Sequence, residues 1–170
     1  MMFHGEMAMT GSGPAVMSPS VMAEKPETEE VETRFGKVTL YRRNPIIFPN
    51  GLLGMPDKMQ FCLTDFPAER MNRFKLLQSL EDNALSFITL PVELQNPIVD
   101  RADMEQASRD LDIPAEHLVS LFIVSVHRES GAAKLSVNAR APIMLHAVKR
   151  VATQHVFMSA KYQIRQPLSL

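Results

Sequence analysis

A chain of 170 residues with 45% hydrophobic and 22% charged residues has the length and composition of one globular domain with a tail. A net charge of −1, 6% aromatic residues and no tryptophan argue against a strongly basic, stacking-rich nucleic-acid binder. The single cysteine, Cys62, rules out an intrachain disulfide, and no apolar run approaches the ~18 residues of a membrane span.

The small net charge hides an asymmetry. Residues 1–32 carry six glutamates and Lys25, a net of −5, which leaves +4 on the other 138 residues. Residues 1–30 are rich in Met, Ser, Pro, Gly, Thr and then Glu, without apolar periodicity. Such a composition cannot offset the entropy of ordering, so it reads as a disordered arm. It holds several methionines, Met22 among them, that offer alternative starts. It also lacks the basic start and unbroken apolar stretch of a secretory signal, so the expected location is cytoplasmic. Residues 31–170 read as a single β domain.

Strand-like segments follow in quick succession. Val31–Phe35 and Val38–Tyr41 flank Gly36-Lys37, which predicts a hairpin with its turn there. The strand ends near Asn44-Pro45, and the apolar run Ile46-Ile47-Phe48 comes next. Pro49, Gly51, Gly54 and Pro56 then force a sharp path into a second apolar run, Phe61–Phe66. Cys62 lies inside that run and reads as buried rather than reactive. Further strands are expected at Phe74–Leu80 and at Leu85–Leu90, the latter closed by Pro91.

One helix stands out. Asp103 is placed to cap it, with Gln106 three residues on as in a capping box. Met104, Ala107 and Leu111 share a face, and Pro114 stops it. Leu118–Val126 is the most apolar run and reads as a strand covered on both faces. Gly131 turns the chain into a half-exposed strand in which Ala133, Leu135 and Val137 alternate with Lys134, Ser136 and Asn138. Ile143–Val148 and Val151–Met158 continue the series, broken by Lys149-Arg150. Eight or nine short strands with one or two short helices make the fold class mainly β: a small, antiparallel, barrel-like fold.

Chemistry-bearing patterns are sparse. His117 and His127 are ten residues apart, His146 and His155 nine, and His4 lies in the arm, so metal-ligand spacing is missing. There is no nucleophile elbow, dinucleotide fingerprint or phosphate loop. Glu81-Asp82 reads as a solvated acidic turn rather than an acid–base pair. Arg42, Arg43, Arg70, Arg73, Arg140, Lys149 and Arg150 read as a solvated basic face. No cofactor or metal is implied, and enzymatic activity is not expected.

Taken in order, the motifs resemble one family. Arg34-Phe35-Gly36 opens a hairpin, and Phe48 to Met55 gives an F-x-x-G-L-x-G-hydrophobic segment. Leu77-Gln78-Ser79, the Glu81-Asp82 turn and Phe87–Pro91 come next. Asn138, Ala141, Pro142 and Ile143 follow, and Tyr162, Arg165 and Leu168 end the series. Residues 33–168 thus resemble the FliW flagellar assembly factors. Met55-Pro56-Asp57, Gln166 and the net positive body depart from that pattern.

The resemblance implies a small barrel-like fold without enzymatic activity. It implies two partners, flagellin and the RNA-binding translational regulator CsrA, with no direct nucleic-acid or membrane contact. It also directs attention to Gln78, Glu81, Asp82, Asn138 and Arg140. These are polar, sit at strand ends or turns, and fall within or beside the motifs, so they are the candidate partner contacts. A rival role for Gln78 and Asn138 is hydrogen bonding to backbone inside the barrel. Rival functions are a general β-barrel interaction module and a small RNA-binding barrel.

Overall fold

The computed structural model describes residues 28–168. Residues 1–27 of the expected disordered arm lie outside the described residues, whereas Thr28–Glu30 already belong to the first strand, β1 (Thr28–Thr33). β1 pairs antiparallel with β2 (Gly36–Tyr41). The hairpin turn falls two residues earlier than expected, on Arg34-Phe35. Thr33 explains the shift: its hydroxyl accepts from Phe35 N–H at 3.1 Å and donates to the Gly36 carbonyl at 2.7 Å, which closes the turn.

The main sheet holds β3 (Ile46–Ile47), β4 (Gln60–Asp65), β5 (Lys75–Ser79), β6 (Ser86–Val92), β7 (Leu118–Glu129), β8 (Ala132–Val137), β9 (Ile143–His146), β10 (Val151–Gln154) and β11 (Gln166–Pro167). Its order is β11-β8-β7-β6-β5-β4-β3-β10-β9, and β9 also pairs with β7, so the ladder turns back on itself in barrel-like fashion. The expectation of uniformly antiparallel pairing needs one correction. β3 and β10 run parallel through the single pair Ile47 and Val151. Pro45 and Pro49 keep β3 short. Arg150, at φ +54°, turns the chain into β10, and its carbonyl accepts from Ile47 N–H at 2.9 Å.

The 48–59 segment is the sharp connection its glycines predict. Leu52 and Met55 exchange backbone hydrogen bonds at 3.2 and 2.8 Å. Gly51 sits at φ +64°, and a β-carbon there would stand 2.4 Å from the Met55 carbonyl oxygen, so no larger residue fits.

Three apolar clusters follow from strand alternation. Phe48, Phe61, Leu77, Leu121, Ile143 and Leu145 fill the inside, with Phe48 and Phe61 edge-on at 5.1 Å. Leu118, Phe122 and Val124 on the opposite face of β7 pack with Met104 and Ala107 of helix α1 (Arg101–Asp110). Val31, Val38 and Leu40 of the hairpin cover Cys62 and Leu76. The expectation that β7 is covered on both faces therefore holds as far as Val124; Ser125 and Val126 are exposed. In β8, burial changes along the strand from an exposed Ala132 to a buried Val137, rather than alternating, because its tip runs out with the end of β7.

The capping box does not form. α1 begins at Arg101 with Asp100 at its cap position, and no side-chain cap bond is made. Asp103 is instead claimed by residues nearly sixty positions later: its carboxylate accepts from Tyr162 O–H at 2.5 Å and pairs with Lys161 at 2.7 Å. Gln106 donates to Asp110. Met104 and Ala107 are buried as expected, and Leu111 packs against the same cluster.

Candidate partner-binding surface

The five nominated residues fall into two groups with β6 and β7 between them. Gln78, Glu81 and Asp82 build the β5–β6 turn. Asn138 and Arg140 lie in the link between β8 and β9.

The first group is spent mostly on the turn itself. Gln78 is fully buried. Its amide nitrogen faces the carbonyls of Ser79, Asp82, Asn83 and Leu85 at 3.0–3.3 Å. An amide NH2 has two hydrogens, so these four acceptors share it. Gln78 is thus the hydrogen-bonded structural amide and cannot touch a partner, which corrects its nomination as a contact. Ser79 Oγ accepts from the backbone N–H of Glu81 and Asp82, at 3.2 and 3.1 Å. Glu81 is exposed, and one of its oxygens accepts from Met59 and Gln60 N–H at 2.8 and 3.2 Å, so it ties the 48–59 segment to the turn. Asp82 accepts from Ala84 N–H at 2.9 Å. The turn therefore presents its acidic groups from a braced backbone.

The second group is split. Asn138 Oδ1 accepts from Ala141 N–H at 3.0 Å, while its own N–H donates to the Ile123 carbonyl at 2.9 Å. Arg140 is held through its backbone: its N–H meets the Gln163 carbonyl at 3.3 Å and its carbonyl accepts from Phe157 N–H at 2.8 Å. Its guanidinium makes no hydrogen bond or ion pair among the described residues, so the nominated arginine keeps its charge available.

Three of the other basic residues have individual tasks. Arg42 pairs with Glu29 and donates to the Leu80 carbonyl at 3.3 Å. Arg150 Nε donates to the Asn44 and Pro45 carbonyls at 2.9 and 3.4 Å, clamping the start of β3. Arg73 lies over the Phe74 ring at 5.6 Å.

Sequence reasoning missed one cluster. Lys161 pairs with both Asp100 and Asp103, at 2.6 and 2.7 Å, and Asp100 N–H donates to Tyr162 Oη at 3.1 Å. This latch ties the start of α1 to the 158–163 segment. The Lys161 ammonium first, and then the Tyr162 hydroxyl, hold the Asp103 carboxyl below its ordinary range. Burial pushes the Tyr162 hydroxyl up. Tyr162 was visible as a motif residue, but nothing local marked its partners.

No group of three or more metal-ligating side chains occurs among the described residues. His117 and His146 stack with ring centroids 5.2 Å apart, and His146 Nδ1 accepts from Lys149 N–H at 3.3 Å. His155 sits edge-on to Phe157, and its burial lowers its pKa. Burial pushes the Cys62 thiol up, in keeping with an inert core cysteine. No described helix is long and apolar enough to cross a membrane.

Comparison with known proteins covers the same span. Residues 29–168 match the family described as FliW protein. The flagellar assembly factor FliW of Clostridium beijerinckii is 30% identical over 142 residues, spanning 78% of this chain and 92% of that protein. Its counterpart in Bdellovibrio bacteriovorus is 31% identical over 140 residues, 80% of this chain and 76% of that one. A crystal structure of a flagellar assembly factor FliW superposes with a TM-score of 0.59 at 20% identity, covering 82% of this chain and 96% of the other, a likeness of fold.

Proposed function

This chain belongs to the FliW family, and on that premise we propose that it is a non-enzymatic, protein-binding factor of flagellar assembly that exchanges flagellin for a CsrA-type translational regulator. The observation that carries this reading is the family match over residues 29–168, together with relatives named flagellar assembly factors.

The mechanism is sequestration. A pre-formed β surface holds the regulator away from flagellin mRNA; flagellin displaces it, and translation then follows flagellin supply. A scaffold whose turns are hydrogen-bonded in advance loses little entropy on binding, which suits exchange between two partners. Glu81, Asp82, Asn138 and Arg140 are the proposed contacts. The acidic turn suits a basic RNA-binding partner, and the Arg140 guanidinium suits an acidic one. We place the protein in the cytoplasm, where both partners are made.

The test is competition. Immobilised chain is loaded with CsrA, flagellin is titrated in, and released CsrA is measured. Release that saturates at one flagellin per chain supports exchange. Failure to bind either protein would sink the reading. Binding of RNA by the chain alone, steeply weakened by salt, would favour the RNA-binding barrel.

A further inference from the structure

β7 has twelve residues, yet its ladder with β6 spans only Ser120–Ile123. Past that point β8 pairs with one side of residues 124–129. Two hydrogen bonds show which way the backbone of this half points. Asn138 N–H donates to the Ile123 carbonyl at 2.9 Å, so Ile123 faces β8, and by alternation so do Ser125 and His127. Leu168 N–H donates to the Leu135 carbonyl at 2.9 Å, which turns Leu135 toward β11. Val126, opposite Leu135, therefore faces away from β8. Val126 and Arg128 aim their N–H and C=O groups at the other side, where no strand pairs with them among the described residues.

What lies there is a groove. The β6 register sets Thr89 against Ile123; three steps further, Ser86 would stand against Val126. Instead the Ser86 carbonyl accepts from the Arg34 guanidinium at 2.9 Å. Arg34 and Phe35 of the β1–β2 turn thus line the gap where the two strands diverge. A cavity of about 450 Å³ remains, lined by Arg34, Phe35, Ile88, Val126 and His127 among others, with no carboxylate in its lining. Exposed Arg128 follows on the same edge, and Val126 is 52% exposed.

We propose that this edge is a strand-addition site: it takes an extended acidic peptide segment of a partner protein as an extra strand beside residues 124–128. Main-chain hydrogen bonds to Val126 and Arg128 supply the register, and alternate peptide side chains reach the groove. Phe35, Ile88 and Val126 make it apolar, while Arg34 and Arg128 favour carboxylates. A second copy of this chain is a poorer occupant, because self-association would bring two edges that each carry Arg34 and Arg128 together. RNA offers no alternating donors and acceptors at strand spacing. The proposal is independent of which partners the chain exchanges.

The test uses the full chain and fluorescently labelled peptides. Acetyl-Glu-Val-Glu-Val-Glu-amide is expected to bind, with its lysine counterpart weaker by ~tenfold or more. Val126→Pro is expected to cut affinity for the acidic peptide by ~tenfold or more with little loss of stability. The Val126 N–H lies outside the β8 ladder, and proline is tolerated at such edge positions. Arg128→Glu is expected to weaken binding as well. N-methylation of one alternate set of peptide nitrogens should weaken binding to the unaltered chain, which keeps the test valid even if Val126→Pro fails to fold. Unchanged binding by a well-folded Val126→Pro variant, or by peptides N-methylated on either of the two alternate sets, overturns the proposal. So does self-association, or binding of an oligoribonucleotide, that Val126→Pro abolishes.

Discussion

The two halves of β7 are one strand in two different environments. Leu118–Ile123 is paired along its length, with β9 over Leu118–Leu121 and with β6 over Ser120–Ile123, and its side chains enter two apolar clusters. Beyond Ile123 its neighbour is β8, and among the described residues no strand pairs with its other edge. The difference is written in side-chain chemistry: Leu118-Val119-Ser120-Leu121-Phe122-Ile123 is apolar on both parities, whereas Ser125, His127, Arg128 and Glu129 solvate the remainder. A strand can leave its sheet without unfolding when its last turn of ladder is polar enough to face water. In this fold the closed half stabilises, and the open half carries the proposed docking edge.

Mutations should separate the halves in order of size. Phe122→Ala, at a residue with no exposure, should cost about 3–5 kcal/mol, seen as a large fall in the denaturant midpoint. A near-neutral result would mean that the closed half is not the core. Gly51→Ala, in the segment that packs Phe48 and Leu52 into that half, should cost about 1–3 kcal/mol through left-handed backbone strain, and more if the Met55 carbonyl cannot move. Gln78→Ala should cost about 1–3 kcal/mol, since it strips the shared donor from a buried turn. By contrast, Arg140→Glu and Val126→Ala should each stay within about 0.5 kcal/mol of the parent, measured by chemical denaturation. A large loss at Val126 would show that the open half is part of the core after all.

A smaller effect concerns the latch that ties α1 to the segment leading into β11. Asp103 is depressed in the fold, so its contribution is present above the ordinary value of 3.8 and is lost as pH falls through the lower folded value. Lys161 is raised, so its contribution is present below 10.5 and is lost as pH climbs through the higher folded value. Between these limits the latch is intact. The melting temperature of the parent should therefore drop on the acid side below about pH 4, and Asp103→Asn should flatten that drop. Parallel acid limbs in the two proteins would remove the latch from the account.

Local chemistry by itself determined a good deal. Apolar runs placed the strands, the Met104–Ala107 face oriented the helix, and Gly51 marked a turn that a β-carbon would block. Cys62 and Phe122 were legible as core because their neighbours in sequence are apolar. The ordered motifs led to the family. What tertiary structure decided was every feature whose partners lie far apart along the chain. Asp103 looked like a cap, but a buried tyrosine and a lysine from the far end offer it stronger, charge-assisted bonds than a helix N–H does. Gln78 read either as a surface contact or as an internal amide, because a polar residue at a strand end serves in both roles. Only the closing of the β5–β6 turn around it supplied the carbonyls that bury it. The parallel β3–β10 pair and the open edge of β7 depend on where other strands stop. Strand periodicity sets which side chains face the core, but it says nothing about which backbone edge finds a neighbour.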